Sequence, residues 1–312
     1  MKLEKYMAIA AIFILTACSE TEEVTPQMLK TSPDTRPNIL FIVADDLGFT
    51  DIGAFGSEIP TPNLDALAMQ GLRMNSLHAG PACQATRAML MASTGYARAI
   101  ENRPALPSGE RDNLLSRDWV TIPELMQEAG YSTYMAGKWD LGLDEGYTPA
   151  TRGFDKSFAQ LGASSSFFRE YFMTPDNLWF EENGVSVQFE DLDEDFYVTN
   201  HYTDKMLEFL QDSEEGKPWF AFMPYTAPHW PLQLPDDWLD RHAGNYDMGY
   251  DELREQRYQR ALELGVLPSN ASMENFQSQA EPWADLTAEE QRRYARAQEI
   301  YAGMIEHLDM SI

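Results

Sequence analysis

Residues 38–46 read NILFIVADD, an apolar run that ends directly in two carboxylates, Asp45 and Asp46. A continuous apolar run predicts a strand that is buried on both faces of a sheet. Two similar runs follow at residues 131–136 and 219–225, and helical patterns separate the three runs. Strands that alternate with helices predict an α/β fold with a largely parallel sheet.

Polar side chains follow each of these runs near the expected end of the strand. Asp45 and Asp46 follow the first run, Lys138 follows the second, and His229 lies four residues beyond the third. Ligand crevices of open α/β sheets lie outside the carboxyl ends of their strands. The sequence therefore predicts that these four residues converge on one edge. Taken singly, an aspartate pair after a strand usually forms a turn or caps a helix. A single lysine is usually a solvated charge, and a single histidine usually has a structural role.

Weaker patterns predict further elements. Thr61 suits the N-cap of a helix whose apolar face includes Leu67, because threonine accepts a hydrogen bond from the first turn. Residues 72–78 predict a second strand. Further helices are predicted at residues 87–92, 123–129 and 202–210 and from Thr287, which opens a capping-box pattern with Glu290. The aromatic region at residues 153–195 does not predict a definite order of elements.

Cys83 follows a loop and precedes a predicted helix. The stretch CQATR at residues 83–87 therefore places a sulfur atom at a helix N-terminus and Arg87 about one turn later. A helix N-terminus favours negative charge, and Arg87 adds a cation on the same side. The alternative readings are a buried, inert thiol and a solvated arginine.

The formal net charge of -27 limits the classes of partner. A chain this acidic does not bind nucleic acid or an anionic membrane through its general surface. A solubilising acidic surface explains the charge better than a cationic substrate does. An anionic substrate requires a local positive pocket that acts against the global field.

The N-terminus predicts export. Residues 1–17 have the basic start and short apolar run of a signal peptide, too short to span a bilayer as a mature helix. They end in Leu-Thr-Ala before Cys18, which resembles a lipobox, and residues 18–35 form a polar tether. We expect lipid on Cys18 to anchor the protein in the bacterial cell envelope, in the periplasm or at the outer membrane, as its one membrane contact. The alternative is an ordinary signal peptide with a chance cysteine. With Cys18 lipidated, Cys83 has no disulfide partner.

Several blocks of sequence resemble one known family. RPNILFIVADDLG at residues 36–48 and TPNLD at residues 61–65 resemble the opening segments of the type I sulfatases, in the alkaline-phosphatase-like superfamily. CQATR at residues 83–87 is similar to their signature C-x-[PA]-x-R. The resemblance continues, in the family's order, through GKW at residues 137–139, YTAPHWP at 225–231 and the helical pattern at 292–309. Several blocks in the right order make the resemblance highly specific, especially to the bacterial arylsulfatase branch.

The resemblance implies an alkaline-phosphatase-like fold with a large, mostly parallel mixed sheet flanked by helices, over a catalytic domain at residues 36–312. It implies sulfuric ester hydrolysis by formylglycine, which a formylglycine-generating maturation enzyme makes from Cys83. Asp45, Asp46 and the group derived from Cys83 would bind calcium, with magnesium as the alternative. Both are hard cations that prefer oxygen ligands.

The resemblance also assigns roles to three cationic side chains. Arg87 would steady the group derived from Cys83, while Lys138 and His229 would hold the sulfate and assist the leaving group. Fixed cations and a metal stabilise the charge of such a transition state. The implied substrate is a small or polymeric sulfate ester.

Three features depart from the family pattern. Ala85 stands where proline is commoner, which restricts the choice of maturation enzyme. Asp140 stands where histidine is usual, and a carboxylate there repels sulfate, so a catalytic role for Asp140 conflicts with its charge. The family's Asp-Asn metal pair and a later lysine fall beyond Ile312, so we expect a domain that is incomplete at its C-terminus and has little or no activity.

Two other functions compete with sulfate ester hydrolysis. Relatives in the superfamily hydrolyse phosphate or phosphonate esters, and some of these also use a modified cysteine. A catalytically impaired sulfatase-like protein that binds sulfated ligands is the non-enzymatic alternative, which Asp140 favours. Turnover of an aryl sulfate against an aryl phosphate separates the two enzymes, and retention on a sulfated polymer without turnover indicates the binding protein.

Overall fold

The apolar run at residues 38–46 forms strand β1 (Ile39–Val43) in a computed structural model of the protein. The structure describes residues 34–101, 115–144, 146–163, 165–169, 180–273 and 280–312. The predicted signal peptide at 1–17, the predicted lipid site at Cys18 and nearly all of the tether at 18–35 lie outside these residues. In the described part of the chain, no helix is both long and apolar enough to cross a membrane.

Strand β1 belongs to a six-stranded mixed sheet with the order β1-β6-β2-β3-β4-β5. β1, β6, β2 and β3 run parallel to their neighbours, whereas β4 and β5 add an antiparallel hairpin. The remaining strands are β2 (Ser132–Lys138), β3 (Lys156–Gln160), β4 (Phe180–Glu182), β5 (Val185–Val187) and β6 (Trp219–Pro224). The predicted mostly parallel mixed sheet is confirmed.

Both faces of the sheet are covered, which explains why its strands are continuously apolar. In β6, Ala221 and Met223 face one core cluster, while Phe220 and Phe222 face the other. This alternation follows from the two-residue period of a strand. The helices are α1 (Pro62–Gln70), α2 (Cys83–Ala92), α3 (Tyr96–Ala99), α4 (Ile122–Glu128), α5 (Val198–Gln211), α6 (Tyr250–Glu263) and α7 (Ala288–Ser311).

The predicted helices are present, although α5 begins four residues before its predicted start and α1 is capped differently. Thr287 and Glu290 form the predicted capping box of α7. Thr61 does not cap α1 with its side chain, because its hydroxyl donates to Asp65 Oδ1 at 3.0 Å. The carboxylate of Asp309, on α7, instead accepts from the backbone N–H of Leu64 at 2.8 Å. A buried carboxylate at a helix N-terminus satisfies donors and complements the helix dipole.

Two predictions for residues 61–78 are wrong. Leu67 does not lie on a buried face, since 58% of its surface is exposed and α1 has no buried residue. Residues 72–78 form no strand, and all but Arg73 are exposed. The side chains of Arg73 and Asn75 bond to backbone carbonyls, but no described strand pairs with this segment. An alternating sequence forms a strand only where a neighbouring strand can complete its backbone hydrogen bonds.

Candidate active site

The carboxyl ends of the parallel strands bring several predicted residues together, as the sequence indicates. Asp45 follows β1, and Lys138 is the last residue of β2. Arg87 lies on α2, one turn after Cys83, which is the first residue of that helix. His229 follows β6, five residues beyond its last residue. The site is therefore assembled from separate parts of the sequence by the parallel pairing of the strands.

Gly137 allows β2 to approach β6 closely just before Lys138. Its φ is 146°, and a Cβ atom there would lie 2.3 Å from the carbonyl oxygen of Pro224. Side chains other than hydrogen do not fit such a contact or such a backbone. The glycine thus fixes the end of the strand from which Lys138 enters the site.

Lys138, Asp45 and Arg87 form a buried ion cluster. Lys138 Nζ lies 2.5 Å from Asp45 Oδ2, and Arg87 Nη2 lies 3.2 Å from the same oxygen. Arg87 Nη1 also donates to the carbonyl oxygen of Lys138. Lysine and arginine are seldom fully buried unless they are paired, and here Lys138 has no exposed surface. Asp45 therefore holds both cations at the base of the site.

Asp140 adds a second buried carboxylate to this cluster. Its φ is 55°, a left-handed conformation that aspartate tolerates better than most residues. Gln84 Nε2 donates to Asp140 Oδ1 at 3.1 Å, so the start of α2 is tied to the end of β2. Asp140 Oδ2 lies 3.9 Å from Lys138 Nζ and has no hydrogen-bond partner among the described residues.

The four buried charges at this edge balance. Arg87 and Lys138 contribute two positive charges, and Asp45 and Asp140 contribute two negative charges. An anionic substrate needs an excess of positive charge, because the protein as a whole is strongly acidic. These four residues do not supply that excess.

Cys83 lies half-buried next to the charged cluster. Burial raises the pKa of its thiol, Lys138 lowers it, and Asp140 and Asp45 raise it further. The thiolate is the nucleophilic form of cysteine, so a raised pKa makes an unmodified thiol a poor nucleophile at neutral pH. Cys83 is a free cysteine in the described part of the chain.

Asp46 and His229 face each other at the entrance of the site. His229 Nε2 lies 3.6 Å from Asp46 Oδ2, and His229 Nδ1 contacts the carbonyl oxygen of Trp230. A carbonyl only accepts, so Nδ1 carries a proton in this arrangement. Asp46 has a φ of 63°, and 62% of its side chain is exposed. These two residues are thus the accessible part of the site.

The candidate metal ligands do not form a complete cation site. Among the described residues, no group of three or more His, Cys, Asp or Glu side chains is arranged to hold a metal ion. Asp45 Oδ2 already contacts Lys138 and Arg87. Calcium takes roughly six to eight oxygen ligands. The described residues therefore do not by themselves fit the calcium site that the resemblance implies.

Comparison with known proteins decides the family. The sulfatase family model matches residues 37–312. The chain belongs to the sulfatase family. This sulfatase is 36% identical over 303 residues to an uncharacterized sulfatase of Schizosaccharomyces pombe, covering 91% of this chain and 54% of that protein. It is also 36% identical over 286 residues to an arylsulfatase of Klebsiella aerogenes, covering 89% of this chain and 61% of that protein.

The sulfatase spans only between half and two thirds of the length of these two relatives. Among solved structures it is similar to the crystal structure of Ps i-CgsB, with a TM-score of 0.58 and 29% identity. That likeness covers 73% of this chain and 55% of the other. The alkaline-phosphatase-like fold and the family that the sequence predicts are therefore confirmed. The domain boundaries and the roles of individual site residues stay predictions.

One part of the sulfatase site has no signal in the sequence. Gln160 ends β3 beside Lys138, and its Oε1 accepts hydrogen bonds from Tyr202 and Thr226, both at 3.1 Å. Burial raises the pKa of Tyr202 well above its usual range, so its hydroxyl remains a donor. This hydrogen-bond network lies next to Lys138 in the buried part of the site. It joins α5, β3 and the loop after β6, and no local pattern identifies partners so far apart.

Proposed function

We propose that this sulfatase hydrolyses sulfuric esters, with Cys83 as the precursor of the nucleophile. The position of Cys83 carries the proposal. It opens α2 beside Lys138 and Asp140, with Arg87 one turn later on the same helix. The similarity to an arylsulfatase supports the same reaction.

We further propose that a maturation enzyme converts Cys83 to formylglycine. When present at this position, the formylglycine hydrate would supply an attacking oxygen and a second hydroxyl. The match of residues 83–87 to the family signature supports this modification. Peptide mass spectrometry of the protein from its native host tests it, and an unmodified thiol there contradicts it.

The residues of this chain have separate tasks in the proposed reaction. Arg87 is fixed by Asp45 and by the carbonyl of Lys138, so it holds the start of α2 against the sheet. Lys138 is the cation nearest to the reacting edge and stabilises charge on the sulfate. His229 donates a proton from Nε2 to the leaving oxygen only when both of its ring nitrogens are protonated.

Calcium is the proposed cation, with magnesium as the alternative. Asp45, Asp46 and the group derived from Cys83 are donors of the right type, but they need oxygen ligands from outside the described set. Isothermal titration of calcium into metal-free protein measures this binding directly. The net neutrality of the four buried charges supports the need for a further cation.

Asp140 supports one competing function, a sulfatase-like protein that binds sulfated ligands without turnover. Its carboxylate lies where it offsets Lys138 and cannot attract sulfate. A phosphate or phosphonate ester hydrolase is the other alternative. The natural ester, small or polymeric, is not specified by the described side chains.

A turnover comparison tests the proposed function. The full chain is expressed with a maturation enzyme and assayed with an aryl sulfate and an aryl phosphate, with calcium present. We expect slow turnover of the aryl sulfate at most, because the resemblance implies little or no activity, and loss of that turnover in the Cys83→Ala variant. Faster turnover of the aryl phosphate supports the phosphatase alternative. Retention on a sulfated-polymer column with no turnover supports the binding protein.

We also propose that the protein is exported and anchored by lipid on Cys18. The sequence of residues 1–18 supports this location. In cells, the Cys18→Ala variant should move from the membrane fraction to a soluble fraction. A variant that stays with the membrane contradicts the proposal.

A further inference from the structure

A partly buried tyrosine on α7 contacts the loop that carries Asp46. The hydroxyl of Tyr301 lies 3.0 Å from the backbone carbonyl oxygen of Asp46 and 2.6 Å from Asp51 Oδ2. Burial and the neighbouring Asp51 raise the pKa of Tyr301, so the hydroxyl keeps its proton and donates. Tyr301 therefore joins the last helix to the residue that faces His229.

Asp51 belongs to the same loop and stabilises it through hydrogen bonds to Gly48. It is buried, and its Oδ2 accepts from the backbone N–H of Gly48 at 2.6 Å. A Cβ atom on residue 48 would lie 2.5 Å from this oxygen, so only glycine fits the contact. The backbone N–H of Asp51 donates in turn to the carbonyl of Gly48 at 3.1 Å. These bonds close residues 48–51 into a tight turn, directly after Asp46 and Leu47.

Arg257, on α6, anchors Asp51. It forms an ion pair with Asp51, and its Nε and Nη2 lie 2.7 and 2.8 Å from the carboxylate of Glu58. The hydroxyl of Tyr246 donates to Glu58 at 2.7 Å. Bidentate pairing of arginine with a carboxylate fixes geometry as well as energy. The turn is thus held by two helices that contribute no other residue to the candidate active site.

The backbone of Asp46 needs such support. Its φ of 63° is in the left-handed region, which is less favourable than the right-handed region even for aspartate, although aspartate tolerates it better than most residues. Such conformations persist where the surroundings over-determine them, and they are common at functional sites. The carbonyl that Tyr301 holds belongs to this same residue.

We infer that Tyr301, Asp51 and Arg257 form a positioning cluster that holds Asp46 in its left-handed conformation and directs its carboxylate toward His229. The contacts within the cluster support its structural role, while its effect on catalysis rests on the proposed function. Tyr301 acts through Asp46 and touches no reacting atom, so it is a positioning residue.

Two matched variants test this inference. Tyr301→Phe removes the hydroxyl that holds Asp46. Tyr246→Phe removes a hydroxyl from the same buried network without touching Asp46, so it controls for a merely structural effect. Hydrogen exchange of the full chain is followed by mass spectrometry in a peptide that covers residues 45–51, with a peptide that covers 219–225 as reference.

We expect Tyr301→Phe to speed exchange at residues 45–51 about tenfold, the effect of losing one hydrogen bond. Tyr246→Phe should leave the exchange rate of these amides unchanged. It should lower the melting temperature of the protein by about as much as Tyr301→Phe does. In the aryl sulfate assay, Tyr301→Phe should lower kcat about tenfold with little change in KM, as loss of support behind a ligand or catalytic group does.

Equal exchange at residues 45–51 in the two variants overturns the inference, whether both rise or neither does. Faster exchange in Tyr301→Phe with unchanged kcat overturns the catalytic part alone. Because the exchange experiment needs no turnover, it decides the positioning role even if the protein hydrolyses no sulfate ester. Failure of the proposed function and failure of this inference are thus distinguishable.

Discussion

Lys138 Nζ lies 2.5 Å from Asp45 Oδ2, and both residues are almost fully buried. The cation that is expected to hold sulfate is therefore already paired with a carboxylate that is expected to bind metal. This pair is the centre of the candidate site. A substrate or a metal that enters must compete with an existing short ion pair.

Replacing Asp45 should strongly destabilise the protein. Asp45→Asn leaves the buried charges of Lys138 and Arg87 without their main partner, and loss of one partner of a buried pair costs about 3–5 kcal/mol. Asp212→Asn is the control, because Asp212 pairs with Lys156 at an exposed site worth less than about 1 kcal/mol. Urea unfolding measures both variants. A similar loss in the two would contradict the prediction.

Removing the charge of Asp140 should strengthen sulfate binding. Asp140→Asn keeps an oxygen that can accept from Gln84 and removes the negative charge near Lys138. A unit charge at about 4 Å contributes roughly 1–4 kcal/mol at surface-like dielectric constants, so affinity should rise about fivefold or more. Inhibition of turnover by inorganic sulfate, or direct titration, measures it. The exposed Asp144→Asn is the control, and an unchanged affinity in Asp140→Asn refutes the prediction.

The unmodified thiol of Cys83 should react slowly with iodoacetamide. Burial raises its pKa above the ordinary value of 9.0, so at pH 8 its thiolate fraction is lower than that of a free thiol. The labelling rate should keep rising above pH 9. The protein is prepared without the maturation enzyme, and Cys83→Ser shows the labelling that belongs to Cys18. Rapid labelling of Cys83 at pH 7 would rule the prediction out.

His307 should make the fold sensitive to acid. Its ring lies between Trp238 and Tyr197, with centroids 4.6 and 5.0 Å away, and burial lowers its pKa from 6.5 although Asp237 opposes this. The unfolded chain then binds the proton more readily than the folded chain. Its contribution to stability is therefore complete above pH 6.5 and is lost as the pH falls toward the folded pKa.

His307→Phe keeps an aromatic ring and removes the titration. Between pH 7.5 and 5.5 the variant should lose less stability than the parent protein in urea unfolding. His201, which also has a pKa lowered by burial, is present in both proteins and cancels in the comparison. Equal losses in the two proteins would show that His307 does not titrate in this range.

Local sequence signals were sufficient to predict the position of a residue where that position depends only on its own strand or helix. The apolar runs predicted β1, β2 and β6, and the loop before Cys83 predicted the start of α2. The meeting of the strand ends at one edge was also predicted, because parallel pairing places carboxyl ends together. These features depend on side-chain period and on neighbours a few residues away.

Long-range partners could not be predicted. Asp309 caps α1 from 245 residues away, so Thr61 carried a misleading local signal. Tyr301 reaches Asp46 across 255 residues, and Gln84 bonds to Asp140 across 56 residues, although no local pattern marks either pair. Residues 72–78 looked like a strand because alternation alone does not show whether a pairing strand exists. Such contacts depend on tertiary packing.

The register of β1 has a consequence for synthesis of the protein. Ile39 pairs with Phe220, about 180 residues later in the chain, and β1 has no other strand partner in the described sheet. The apolar segment that the ribosome makes early must therefore wait for β6 before it can complete its backbone hydrogen bonds. Such non-local pairing slows folding and leaves an aggregation-prone segment of the nascent chain exposed. Until residue 224 has been made, the backbone of β1 therefore lacks the strand with which it pairs in the folded sheet.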